Sequence, residues 1–238
     1  MVNWFSRKRG RSDVPKIRTR SAERDALKVD LVDLTPPLLT FLGQAAYLQL
    51  TIFENASRAV ATAPTTDAKE NLSRVAALSL AKHHGLTAQI ERHGNPPGQV
   101  MEPFTADIDR FQRSTIGSDW FENLMACYLT AGFLDDFYIR LAGGLSGDYA
   151  ERVAAILRAD SGADRMADEL RKGIDANPRL ASRLAMWGRR LVGDTMLVAR
   201  AGLVASTNHD SDEARIEPVF TELIAAHTRR MDALGLTA

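Results

Sequence analysis

Apolar residues recur along most of this chain every three or four positions, and the clearest run is Leu72 to Ile90. Leu72, Val75, Ala76, Ser79, His83, Leu86 and Ile90 fall on one stripe, so the spacing predicts a long amphipathic helix over about 67–93. It also places a histidine in the middle of a face that should be buried. An earlier helix, about 36–62, turns Leu39, Leu42, Ala46, Leu50, Phe53 and Ser57 one way, with Glu54 bordering the stripe. Thr35-Pro36-Pro37 supplies its start signal, a capping hydroxyl followed by proline in the first turn. Pro64 and Thr65-Thr66-Asp67 separate the two helices, and Gly94-Asn95-Pro96-Pro97-Gly98 stops the second.

The next two dozen residues, to about Ser118, read as irregular. A third helix from Ser118 or Asp119 carries Trp120, Leu124, Cys127, Ala131, Leu134, Tyr138 and Leu141 on one side and stops at Gly143-Gly144. A fourth, from about Gly147, carries Val153, Ile156, Leu157, Asp160, Ala163, Ala167 and Leu170. Asn177-Pro178 breaks the chain before a fifth helix over about 178–206. After the polar turn Thr207 to Asp212, a last helix uses Ile216, Val219, Phe220, Leu223, Ile224 and Met231. No alternating pattern of useful length occurs, so the fold class is all-α. The long link between the second and third helices can run back along a bundle, which suits a four-helix bundle with two further C-terminal helices.

Charge divides the chain. Lysine and arginine balance aspartate and glutamate at 30 each, but residues 1–29 carry +6 and the remainder −6. We therefore read residues 1–30 as a basic, disordered tail and 31–238 as one helical domain. Trp4 and Phe5 beside Arg7, Lys8, Arg9 and Arg11 suit RNA or an anionic surface, or form a solubilising tail that stays free. Cys127 is the single cysteine, which removes any disulfide framework and points to an intracellular setting. No apolar run approaches the roughly 18 residues of a membrane span, and no signal peptide opens the chain, so the expected location is the cytoplasm.

Three polar residues lie on or beside faces that should be buried, on three different helices: Glu54, His83 and Asp160. Burying such groups is costly unless they are paired, hydrogen-bonded or metal-bound. One reading makes Glu54 and His83 a buried hydrogen-bonded couple that Asp160 joins. The other makes the three a metal site. Asp135 and Asp136 read as a solvated pair or as partners of Arg189 and Arg190. Glu122 sits in the first turn of its helix, where an acid suits the positive end of the dipole, and Cys127 reads as core. No phosphate-binding glycine loop, zinc cysteine pair or nucleophile elbow is present.

The stretches TIFENAS around Glu54, AKHHGL around His83, SDWFENLMACYLTAGFLDDFY in the third helix, RADSGADRM around Asp160, and NPRLASRLAMWGRRLVGD resemble the actinobacterial branch of a ferritin-like family. That family is related to the tRNA hydroxylase acting on an isopentenylated adenosine. The resemblance covers roughly 36–205 and implies a ferritin-like four-helix bundle. Carried over by position, the family's di-iron ligands fall on Glu54, on Leu80 and His83, on Ala131, and on Asp160 and Ala163. Three of these six positions keep a ligand type, and three have become apolar.

Two functional readings follow. In the first, the di-iron site is degraded, no cofactor is held, and the chain is a non-catalytic binding or interaction module for RNA or another protein. In the second, it is a non-haem iron oxygenase of the tRNA-modifying kind. Its reduced ligand set is then Glu54, His83, Asp160 and one of Glu122 or Asp136.

Overall fold

The computed structural model describes residues 34–203 and 209–237; the side chains of 209–215 lie outside that description. The basic residues Arg7, Lys8, Arg9 and Arg11 therefore fall outside the described residues. All regular structure among those described is helical: α1 (Leu38–Ala61), α2 (Thr66–Arg92), α3 (Pro97–Met101), a 3-10 turn (Glu102–Phe104), α4 (Thr105–Ser114), α5 (Trp120–Ala142), α6 (Tyr149–Arg158), α7 (Ala163–Ala176), α8 (Pro178–Ala201) and α9 (His209–Asp232).

Local chemistry sets the boundaries. Thr65 caps α2 by accepting from the Ala68 amide at 3.1 Å. Asp119 caps α5 by accepting from Glu122 N at 3.0 Å, while the Glu122 carboxylate reaches back to Ser118 N and Oγ at 2.7 Å each. This reciprocal arrangement satisfies amides that the first helical turn leaves without partners. Asn177 caps α8 ahead of Pro178. Thr35 does not cap α1 as expected; its hydroxyl donates to Leu141 O at 2.9 Å and ties the start of the bundle to the end of α5.

Helices α1 and α2 pack as an antiparallel hairpin. With α5 and the consecutive pair α6–α7 they close a four-helix bundle, and α8 and α9 pack on the outer side of α5. That position explains α5, which is buried around most of its circumference rather than along one stripe. Its sequence from Leu124 to Phe137 is apolar almost throughout, as a helix with neighbours on all sides requires.

Two hydrophobic clusters share the interior. One gathers Phe41, Leu42, Leu86, Ile90, Phe133, Phe137 and Phe220. The other gathers Leu72, Val75, Leu124, Met125, Leu170 and Leu184. Along α2 the clusters are separated by Ser79, Lys82 and His83, all buried and all polar.

Two expectations change. The connection over 95–118 is mostly helical, and α4 buries Ile108, Phe111 and Gln112. The fourth helix is broken into α6 and α7 by Ala159–Gly162, where Gly162 adopts φ 70° and Asp160 Oδ1 accepts from Gly162 N at 2.8 Å. No helix among the described residues is long and apolar enough to cross a membrane.

Candidate functional site: a lysine-centred polar junction

The polar groups that meet inside the bundle are Gln49 on α1, Lys82 on α2, Asp135 on α5 and the carbonyl of Leu157 on α6. Lys82 Nζ donates to Asp135 Oδ2 at 2.6 Å and to Leu157 O at 2.8 Å. Gln49 Nε2 donates to Asp135 Oδ1 at 2.7 Å. The lysine side chain is 3% exposed, so its ammonium lies well inside the bundle and is satisfied there by one charge and one carbonyl. Burial pushes the Asp135 carboxyl up from its ordinary value, and the Lys82 ammonium and the Gln49 amide pull it back down. Charge-assisted bonds of this length compensate desolvation that neither ion could bear alone. Ser79, three residues before Lys82 and on the same face, is buried beside this layer and bonds back to Val75 O.

Glu54, His83 and Asp160 are not brought together. Glu54 is on the outer side of α1, its carboxylate 3.4 Å from Arg58 and about half exposed. His83 is buried, and its Nδ1 lies 2.9 Å from Ala46 O. A carbonyl only accepts, so Nδ1 carries the proton. Burial lowers the His83 pKa, which keeps the ring neutral. Asp160 closes the turn between α6 and α7 instead of sitting on a helix face. The coupled pair Glu54–His83 is thus replaced by three separate local interactions. Among the described residues no three His, Cys, Asp or Glu side chains gather closely enough to hold a metal ion.

The apolar positions also separate. Ala131 lies in the core, Leu80 is half-buried, and Ala163 opens α7. The pair spaced by three that faces the interior of α2 is Ser79 and Lys82, one residue before the expected Leu80 and His83. Of the two aspartates expected at the surface, Asp135 joins the internal junction. Asp136 pairs with Arg230 at 2.7 Å rather than with Arg189 or Arg190. Arg189 reaches Thr237 O, and Arg190 stacks over Trp187. Cys127 is buried, and burial raises its thiol pKa to about 12, the state of a core residue rather than a nucleophile.

The junction matches no spacing motif, and Lys82 stands beside His83, the more recognisable ligand type. Its signal in the sequence is a polar residue at a core position on each of three helices: Gln49 three residues after Ala46, Lys82 three after Ser79, and Asp135 one after Leu134.

No curated protein matches the chain. The model of the family described as a ferritin-like domain of actinomycetes matches residues 36–212. This chain, an all-α bundle with a polar junction at its centre, belongs to that ferritin-like family.

Proposed function

We propose that the chain is a non-catalytic binding or interaction module, related to the tRNA-hydroxylase-like proteins, in which a lysine ammonium takes the place of metal in the bundle. The observation that supports this reading is the Lys82 ammonium of α2, held by the Leu157 carbonyl of α6 and by Asp135 of α5, which in turn accepts from Gln49 of α1. The donors present do not suit an oxygen-activating iron. They are one carboxylate already paired with a cation, one amide and one carbonyl, whereas a single oxygen-activating iron uses two imidazoles and a carboxylate and a di-iron pair uses several carboxylates with two histidines. The neighbouring imidazole, His83, is engaged with Ala46 O. A divalent ion about 4 Å from the Lys82 ammonium would also meet repulsion of about 8 kcal/mol at an effective dielectric constant near 20. The partner on this reading is RNA, met by the basic segment that carries Arg7, Lys8, Arg9 and Arg11.

One preparation tests both halves. Protein made in iron-supplemented cells and purified without chelator should contain iron far below one atom per chain by elemental analysis. The same protein should bind tRNA with an affinity that falls steeply with salt and is lost when Arg7, Lys8, Arg9 and Arg11 are replaced by serine. Stoichiometric iron would overturn the non-catalytic reading, and salt-independent binding the RNA reading.

A further inference from the structure

Helix α8 packs on the outer side of α5 and turns its other side to solvent. Arg179, Arg183, Met186, Arg189, Arg190, Gly193, Leu197 and Arg200 are all exposed, and on an ideal helix all fall within about 60° of Met186. Leu180, Leu184 and Leu191, on the opposite side, are buried, so packing against the bundle fixes which way the arginines face. These five arginines are the only basic residues of α8, and Asp194, at the edge of the face, is its only acid. The helix therefore carries +4. Residues 30–238 together carry −6, which leaves −10 on everything in that span outside α8. A basic stripe thus runs along the outside of an acidic body.

Two of the five arginines have acids beside them. Arg183 is held by Asp119 and, at 3.4 Å, by Glu122, and Arg200 lines the same shallow groove as Glu217 of α9. The other three, Arg179, Arg189 and Arg190, make no ion pair among the described residues. Arg189 spends one N–H on Thr237 O at 2.7 Å. Arg190 lies over the Trp187 ring, 5.2 Å from its centroid, with its edge free. A guanidinium has five donors in one plane, so each of the three keeps donors for a phosphate. Together they span about 16 Å of helix.

We infer that this face docks on the phosphate backbone of base-paired RNA. The inference rests on the RNA reading above and gives the RNA a second, folded contact beside the basic segment. Charge complementarity selects a polyanion, and the rest of the face selects among polyanions. A lipid surface requires an apolar helix side to insert. The apolar side of α8 is already buried in the bundle, which leaves only Met186 and Leu197, each 68% exposed and three turns apart. A single strand requires exposed aromatic platforms, and Trp187 is half-buried beneath Arg190. A second copy meeting this face about a two-fold axis would set arginine against arginine. What remains is a straight row of forked cations, which suits regularly spaced phosphates and reads no base. Gly193, with nothing within 4 Å of where a Cβ would stand, keeps the middle of the face low, so a backbone can come close.

The test is fluorescence anisotropy of the full chain with a labelled RNA duplex of about 16 base pairs, repeated over a salt series. Combining Arg179→Gln, Arg189→Gln and Arg190→Gln should weaken binding by at least about tenfold at about 0.1 M salt and make the slope of log K against log salt shallower by about three, roughly one per arginine. A control combines Arg74→Gln, Arg110→Gln and Arg171→Gln, which removes the same charge from α2, α4 and α7, where each arginine pairs with a neighbouring carboxylate. It should bind like the parent. Circular dichroism checks that both triple variants fold. Arg179→Gln alone, which breaks no ion pair among the described residues, should still reduce the slope by about one. Equal losses in the two triple variants, an unchanged slope in the α8 variants, or tighter binding of the unpaired strand would each overturn the inference. So would an α8 triple variant that loses binding to phosphatidylserine vesicles and keeps the duplex. A parent that binds no RNA defeats the RNA reading itself. A parent that binds, with an α8 triple variant that binds equally well, defeats this inference alone.

Discussion

Lys82 shows how a single buried charge is tolerated. Its ammonium has one anionic partner, Asp135, and one carbonyl, Leu157 O, and Asp135 in turn holds Gln49. Removing one ion strands the other. Lys82→Ala should lower unfolding free energy by about 3–5 kcal/mol, because Asp135 is left buried with only an amide donor. Replacing both ions, as Lys82→Met with Asp135→Leu, should cost far less and could be neutral, since the desolvation of both ions disappears with their attraction. Urea denaturation of the three proteins gives the comparison. A Lys82→Ala variant within about 1 kcal/mol of the parent would show that the pair carries no such coupling. This residue was hard to read from the sequence for a physical reason. A lysine on a helical stripe can carry its charge outward along its flexible stem. Periodicity cannot tell that case from an inward ammonium whose partner lies 53 residues away.

At the scale of elements, boundaries followed turn chemistry more faithfully than apolar spacing. The stripe on α2 was legible because Leu72, Val75, Leu86 and Ile90 are buried at helical intervals; on α1 the buried face runs through Phe41, Ala45, Leu48, Ile52, Ala56 and Ala59, and of the expected stripe only Leu42 and Ala46 are buried while Leu39, Leu50, Phe53 and Ser57 are half-buried. Helix α4 was not legible, because its ten residues contain only two buried apolar side chains, Ile108 and Phe111, and prolines punctuate the approach to it. The continuous fourth helix failed at Asp160-Ser161-Gly162, where an aspartate accepting from its own turn and a left-handed glycine outweigh the apolar periodicity around them. Gly162 is also pressed against α2: a Cβ there would lie 2.8 Å from Val75 Cγ2 and 3.3 Å from Val75 Cα. Gly147 has a similar φ of 64° but open space around it. Gly147→Ala should therefore lose only the backbone preference, about 1 kcal/mol. Gly162→Ala should lose about 2–4 kcal/mol, since the methyl must displace the α6–α7 turn from α2. Equal losses in urea melts would mean that the close approach to Val75 relaxes freely.

For the molecule as a whole, the buried histidines tie stability to pH. His83 bonds to Ala46 O, and burial lowers its pKa from 6.5. His227, 4% exposed, is lowered first by burial and then by the nearby Arg230, against a hydrogen bond with the Gly188 backbone. In both, the folded state favours the neutral ring, so unfolding takes up protons once the pH drops below the unfolded value. Their contribution is fully present above about pH 6.5 and is lost as the pH falls through the lower folded values. Asp135 acts in the opposite sense, because its carboxyl is raised and that contribution is lost as the pH rises. Comparing variants, rather than reading one absolute curve, isolates the histidines. His83→Asn retains an amide donor for Ala46 O without a titrating ring, and His227→Asn removes the second titration. Between about pH 6.5 and pH 5, above the range where ordinary carboxylates protonate, the parent should lose unfolding free energy steadily. The double variant should stay nearly flat by comparison. Parallel curves for the two proteins in urea denaturation would show that both rings charge in place without resistance from the core. The fall with acidity would then have to originate elsewhere in the bundle.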